Sequence, residues 1–432
     1  MWRLANPSIR FRTRIRSCIT QSNNKYRRRS LSSDFNSNWQ YQQSSSVIDV
    51  TPLADSIRSH IREYTRKEKL KLVGILVGSI DEFDSEIYSD RIRETFEEDG
   101  IDYEVWRYPD DAVETEGKEG GRGKCFDLSP NDNDETKIRW IKEKIHLANE
   151  YTDVHGILIF YPIYPSGSSP KGPYKNRLTG VYYKTQDDHI RDLVQPSKDV
   201  EGFCGTKWFK IRDQKELPSI YPCTALSVFK ILQEYHISSN DNNKNKMNCD
   251  GDNGKNDNNN KINYDGNNTD GNLSTITGGR QEWKDQTISI VNRSEIMGRP
   301  LAVMLSQMGA TVYSIDINSI LEFRPNGGRQ RRCNAQTTTL ESCLEKSNIV
   351  VTGVPHADFQ LPLTSIAEGT TIVNVSEFPN ICEETLVFER PDIKYIPNVG
   401  KVTVAVLENN LMNLKINASI STTLDSKPII EI

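Results

Sequence analysis

Apolar residues fall at helical spacing in "PLADSIRSHIREY", where Leu53, Ile57 and Ile61 stand four apart. The next apolar stretch, "KLVGILVG", is a continuous run of strand length. "SEIYSDRIRETFEEDG" returns to helical spacing and stops at Gly100. "IDYEVWRY" then reads as a strand, "ETKIRWIKEKIHLANE" as a helix, and "HGILIFYP" as a strand ended by Pro162. Strands alternating with helices predict a parallel sheet covered on both faces. After a Pro/Gly/Ser-rich passage, "PIYPSGSSPKGPYKNRL", the segment "YPCTALSVFKILQEYH" opens a helix just past Pro222. A second unit begins near Thr287. Further strands are expected in "NIVVTGVP", "TTIVNVS" and "IKYIPNVG", and a last amphipathic helix in "TVAVLENNLMNL" is placed to cross back to the first unit. The fold class is α/β with two domains.

Composition narrows the function classes. The 432 residues suffice for two or three cored domains. Net charge is −5 with acids and bases mixed, so no nucleic-acid-binding surface is expected. No apolar run reaches the ~20 residues of a membrane span. The eight cysteines are scattered without a CxxC, and the six histidines do not pair at ligand spacing. A metal site and a disulfide scaffold are therefore both unexpected. The first 33 residues are rich in Arg and Ser and contain no acid before Asp34, as organelle transit peptides do. Segment 1–46 thus reads as a mitochondrial leader, the alternative being a disordered basic extension on a cytosolic protein. Residues 109–134 are charged and Gly-rich. Residues 239–281 are dominated by Asn, Asp, Gly and Lys and are expected to be a disordered insert.

The stretch "ISIVNRSEIMGRPLAVMLSQMGATVYSIDIN" (288–318) is laid out as the start of a dinucleotide-binding unit. An apolar run ends at Val291, a polar turn and a helical pattern follow, and a second apolar run ends at Asp316. The usual fingerprint has three glycines in that turn; here Gly298 stands there with Asn292, Arg293 and Ser294 ahead of it. Pro300 suits a first helical turn, so the helix dipole and free N–H groups favour a phosphate beside "NRSEIMG". Arg293 and Ser294 would add charge and a hydroxyl. Asp316 lies eighteen positions after Gly298, near the spacing at which an acid binds ribose hydroxyls. A 2′-phosphate ~4 Å away would meet a repulsion of about 4 kcal/mol per charge pair at an effective dielectric near 20. The balance favours NAD over NADP. Taken alone, the turn is a weak signal, and Asp316 is equally a strand-end residue.

Four stretches in order raise the specificity: "KDVEGF" (198–203), "YPCTAL" (221–226), "NRSEIMGRPLA" (292–302) and "VGKVTVAVLENN" (399–410). They resemble the signature segments of methylenetetrahydrofolate dehydrogenases, and "TGVPHAD" (352–358) fits as well. The resemblance covers about residues 50–415 without the inserts and is closest to the monofunctional, NAD-dependent branch. It implies a folate-binding α/β domain over 47–203 and a Rossmann-like, parallel-sheet NAD-binding domain over 204–400. Residues 401–432 would form a C-terminal helix packing back on the first domain, followed by a tail. It also implies a cleft between the domains, a homodimer, and a place in one-carbon metabolism and purine biosynthesis.

By the same resemblance Tyr88 stacks on the folate and serves catalysis with Glu201. Glu201 stands where the family commonly has the aspartate that anchors the pterin ring. Gly400 and Thr403 belong to a loop closing over folate, and Gly353 allows close approach to the cofactor. Cofactor binding is then expected of Arg293, Ser294, Gly298, Asp316 and Gly353. Asp199 reads as a loop-stabilising carboxylate, Lys401 as a solvated charge and Cys223 as a small buried residue. Two departures bear on activity. Bifunctional members have a Tyr-x-x-x-Lys where this chain has Tyr88 and Ile92, and a glutamine where it has Phe160. Hydrolysis of the methenyl product needs an activated water, which Ile92 and Phe160 cannot provide. Hydride transfer needs only two carbons held close and dry. Arg91 projects about 100° round the helix and does not substitute. The expected activity is NAD-dependent oxidation of 5,10-methylenetetrahydrofolate to 5,10-methenyltetrahydrofolate without cyclohydrolase activity. The alternatives are a bifunctional NADP-dependent enzyme and a non-catalytic folate- or nucleotide-binding homologue.

Overall fold

The computed structural model describes residues 47–77, 83–108, 134–161, 163–164, 169–175, 182–204, 220–237, 283–325 and 330–425. The basic leader, the Asn-rich insert, all but the last residue of the first insert and the end of the tail lie outside them. The chain runs through α1 (Thr51–Thr65), β1 (Lys71–Val77), α2 (Phe83–Glu98), β2 (Asp102–Tyr108), α3 (Asp134–Glu150) and β3 (Gly156–Ile159). A hairpin, β4 (Lys171–Lys175) and β5 (Tyr182–Thr185), leads to the short helix α4 (Gln186–Arg191). Then come α5 (Cys223–Leu232), β6 (Thr287–Val291), α6 (Gly298–Gln307), β7 (Thr311–Asp316), β8 (Ser319–Phe323) and β9 (Arg331–Arg332). The chain ends with α7 (Leu340–Leu344), β10 (Ile349–Thr352), β11 (Thr371–Asn374), α8 (Glu383–Glu389), β12 (Lys394–Ile396) and α9 (Gly400–Asp425).

Two parallel sheets organise these elements. The smaller has the order β2-β1-β3. Its central strand is buried from Leu72 to Val77, which is why it reads as an unbroken apolar run. The larger has the order β12-β11-β10-β6-β7-β8-β9. Its first five strands are parallel, while β8 and β9 add antiparallel at one edge. In chain order the parallel strands stand 2-1-3-4-5, so the winding reverses between β6 and β10. Ligands of doubly wound sheets bind at such a reversal, beyond the carboxyl ends of the strands. Strand β4 falls within the Pro/Gly/Ser-rich passage and β5 just beyond it, a hairpin that the apolar pattern did not predict.

Helix α9 lies along α1 and α5 and closes one core shared by both sheets. Its Val402, Ala405, Val406 and Leu411 meet the Leu53, Ile57 and Ile61 stripe of α1 within that core. The fit is close: a Cβ added at Gly156 on β3 would lie 2.6 Å from Leu411. Separate clusters cover the far faces of the two sheets.

A charged cluster is sealed where α1, α2 and α9 meet. Asp99 accepts a forked pair of hydrogen bonds from Arg58 at 2.6 and 2.9 Å and another from Arg62 at 2.6 Å. Glu408 of α9 lies 3.8 Å from Arg58 with a fully enclosed side chain, and neither of its carboxyl oxygens has a hydrogen-bond partner. Burial, reinforced by the Asp99 carboxylate, lifts its pKa from 4.5 to about 9, so the native protein holds this acid neutral. The unfolded chain releases that proton at much lower pH. Stability should therefore be lost as pH rises from 4.5 toward 9, by at most about 1.4 kcal/mol per pH unit. Glu408→Gln removes this dependence. Its melting temperature, measured from pH 5 to pH 9, should gain on the wild type as pH rises, and a constant difference would refute the assignment.

Candidate active site

The turn after β6 lies at the reversal of the large sheet. Asn292 adopts φ +118°, a conformation that usually requires glycine. Its Nδ2 donates to the carbonyl of Gly353 just past β10, while the Gly353 N–H donates to Val291 O at 3.0 Å. The two strand ends are thus tied together across the reversal. Gly298 is obligatory for another reason: a Cβ there would lie 2.0 Å from the Asn292 carbonyl oxygen. Gly353 is crowded by Val375 and Met297 side chains.

Ser294 caps α6. Its Oγ accepts from the N–H groups of Met297 at 3.1 Å and Gly298 at 3.2 Å, and its carbonyl accepts from Arg299 at 3.0 Å. Among the described residues, the N–H groups of Arg293, Ser294, Glu295 and Ile296, ahead of the helix, are left without a partner. Arg293 departs from expectation. Its guanidinium donates to Ser314 O at 2.6 Å, Ser319 O at 2.8 Å, Ser319 Oγ at 2.8 Å and Ser314 Oγ at 3.1 Å. With four donations to the β7–β8 turn, it braces that turn instead of lending its fork to a phosphate. Asp316, at the end of β7, lies 3.8 Å from Arg293 and keeps about half of its side chain exposed.

A second group gathers at the carboxyl end of the small sheet. Phe160 follows β3 and meets Tyr88 of α2 edge to face, with centroids 6.1 Å apart. Glu201 sits in a loop wound around Asp199, whose carboxylate accepts N–H bonds from Gly202, Phe203 and Cys204 at 2.9, 3.2 and 2.7 Å. Gly202 has φ +73° and stands so near Tyr221 that a Cβ would meet its carbonyl carbon at 2.8 Å. Burial pushes Glu201 up to about 8. Asp199 adds to the effect, while Arg191 and the Ile159 amide oppose it. Burial likewise holds the Tyr88 hydroxyl well above its ordinary range, with Cys223 and Glu201 next in effect. Cys223 is itself buried and pushed well up, so its thiol is inert at neutral pH.

Ile92, one helical turn beyond Tyr88, is completely enclosed in the shared core, whereas Arg91 faces solvent. Gly400 and Thr403 form the first turn of α9, not a loop. The Thr403 hydroxyl is buried and donates back to Val399 O at 3.1 Å. Lys401 reaches Thr51 Oγ1 at 2.8 Å. Tyr88, Phe160 and Glu201 are thus brought together, as are Arg293, Ser294, Gly298, Asp316 and Gly353 around the β6 turn. Sequence reading passed over Asn292 and Asn410. Asn292 shows only the general tolerance of Asn for positive φ. Asn410 is a polar residue on an otherwise apolar helix face, which was a usable signal.

A parallel sheet with an open amide turn at its reversal, beside a second α/β lobe that buries an aromatic pair and an acid, defines a two-lobed α/β protein of the dehydrogenase type. No protein-family model matches the chain. The chain is 27% identical over 383 residues to a methylenetetrahydrofolate dehydrogenase [NAD(+)] of Dictyostelium discoideum, covering 85% of this chain and 93% of that one. It is 28% identical over 380 residues to the enzyme of the same name from Schizosaccharomyces pombe, covering 85% and 92%. The solved NAD-dependent 5,10-methylenetetrahydrofolate dehydrogenase of Saccharomyces cerevisiae shares the fold, with a TM-score of 0.60 at 23% identity over 87% of this chain and 99% of that one. In sequence the chain is similar to NAD(+)-dependent methylenetetrahydrofolate dehydrogenases, and it shares their fold.

The turn geometry makes a specific demand on the chain. Gly298→Ala forces a backbone shift and should lower stability by about 3 kcal/mol or more, whereas Asn292→Gly should stay within about 1 kcal/mol of the parent. Urea unfolding of the two variants checks this, and equal losses would contradict the turn described.

Proposed function

We propose that the protein oxidises 5,10-methylenetetrahydrofolate to 5,10-methenyltetrahydrofolate with NAD as hydride acceptor, and that it does not hydrolyse the product. The observation that carries this reading is the sealed Ile92 one turn from Tyr88: where a lysine would be needed to polarise water, the chain packs an alkyl group into its core. The β6 turn fits the cofactor. Its run of unclaimed N–H groups suits a pyrophosphate, and Asp316 at the strand end suits ribose hydroxyls and repels a 2′-phosphate.

When bound, NAD supplies the hydride acceptor. The chain's part is placement. Tyr88 and Phe160 offer the ring faces of a slot for the folate, and Glu201 supplies a carboxyl to its heterocycle. Gly298 and Gly353 keep the large-sheet turn low enough for a cofactor to approach. No protein base is required, because the folate nitrogen lone pair expels the hydride. Gly400 and Thr403 contribute to the folate side through the start of α9. The acid-free leader supports a mitochondrial location, and the family resemblance supports a homodimer.

Assay of the purified protein tests the reading: turnover should be faster with NAD than with NADP, and added methenyltetrahydrofolate should decay no faster than in buffer. A preference for NADP or enzyme-dependent hydrolysis would reverse it. Acidity at Glu201 yields a second expectation. The amino and ring N–H donors of a pterin need an ionised acceptor, and Glu201 is neutral below about 8. The kcat/KM for folate should therefore climb with pH and level off above about 8, and Glu201→Gln should lose the climb.

A further inference from the structure

Among the described residues, three buried polar atoms beside the end of β3 have no hydrogen-bond partner: the Tyr161 hydroxyl, Asp187 Oδ1 and Arg191 Nε. Unpaired buried groups are uncommon in folded proteins, and a bound ligand or water usually explains them. These three are neighbours. The Arg191 guanidinium lies 4.7 Å from the centroid of the Tyr161 ring and 5.8 Å from that of Phe203. Among the described residues it pairs with Asp188, at 3.4 Å on its own helix. Asp187 and Glu201 both respond to the Arg191 charge, and Tyr161 responds to all three. Tyr161 follows Phe160 directly and Phe203 lies two residues past Glu201, so the cluster stands at the carboxyl end of β3. Phe160 turns toward the shared core and Tyr161 toward the α3 side, so the pair straddles the strand end.

We propose that Tyr161, Asp187 and Arg191 are substrate-binding residues that hold the amino- and keto-bearing edge of the folate's bicyclic heterocycle, completing a pocket that Glu201 begins. This rests on the folate reading above. The chemistry selects that edge. Its keto oxygen needs donors, which the Arg191 Nε–H and the Tyr161 hydroxyl provide. Its amino group needs an acceptor, which the free oxygen of Asp187 provides. The other end of the molecule, a benzoyl ring bearing glutamate carboxylates, is a poor match: Asp187 and Asp188 would confront it with two acids against one arginine.

Two fragments separate these ends: free pterin, which is only the heterocycle, and p-aminobenzoylglutamate, which lacks it. Binding of each to the full-length protein is measured for the wild type, Arg191→Met and the near-isosteric Tyr161→Phe. Arg191→Met should weaken pterin by about 10- to 100-fold and Tyr161→Phe by about 5- to 10-fold, while p-aminobenzoylglutamate stays within about twofold. The KM for methylenetetrahydrofolate should rise in parallel, with the KM for NAD unchanged. Unaltered pterin binding would mean that the three atoms are satisfied by water only, and would overturn the proposal. Equal weakening of both fragments with a fall in melting temperature would make Arg191 a structural residue and overturn it as well. A wild type that binds pterin through these residues but oxidises no folate would refute the proposed activity and leave this subsite standing.

Discussion

A single side-chain amide holds the small-lobe site together. Asn410 of α9 is buried, and its Nδ2 donates to Val200 O at 2.9 Å and to Tyr221 O at 3.1 Å, with Cys223 Sγ at 3.3 Å. It therefore fastens the last helix to the loop that carries Glu201 and to the start of α5. In a dry interior, an unpaired carbonyl costs about 1–3 kcal/mol. Loop and helix cannot drift apart without exposing two such groups, so the position of Glu201 follows from a residue more than two hundred positions away.

The lobe carries several buried acids and treats them differently. Asp99 is held by hydrogen bonds from two arginines. Glu408, with Asp99 beside it and Arg58 only at 3.8 Å, is driven neutral. Glu201 and Asp187, pushed up to about 8 and about 6, share one arginine on their open side. At the first pair Asp99 is held by Arg58 and Arg62 while Glu408 packs into the shared core; at the second, unpaired atoms of three different side chains converge beside a strand end, which marks a site.

The large lobe builds the turn after β6 without the glycine-rich fingerprint. Asn292 takes the positive φ that a first glycine would supply, and its side chain bridges the sheet reversal. Ser294 closes the first turn of α6, and Arg293 stiffens the hairpin bearing Asp316. Arginine and serine in the turn thus serve its rigidity. Among the described residues, the amides that remain free are those just before the helix, on the strand side of the turn.

Much of the architecture was legible in the sequence. Apolar runs marked the parallel strands, because burial on both faces leaves no room for alternation. Period-3.6 stripes marked α1 and α2, and the ordered motifs marked the family and the residues around each strand end. Strand β4 escaped because its residues carry turn composition, β5 because four residues are too few for a pattern, and the edge strand β9 because its two arginines face solvent. What only the tertiary structure decided was direction: that Arg293 turns inward, that Asn410 reaches two distant carbonyls, and that Tyr161, Asp187 and Arg191 converge with atoms unpaired. Periodicity records which face of an element is buried, through transfer of side chains out of water. Which polar atom meets which depends on how separate elements pack, and that information lies in no local stretch of the chain.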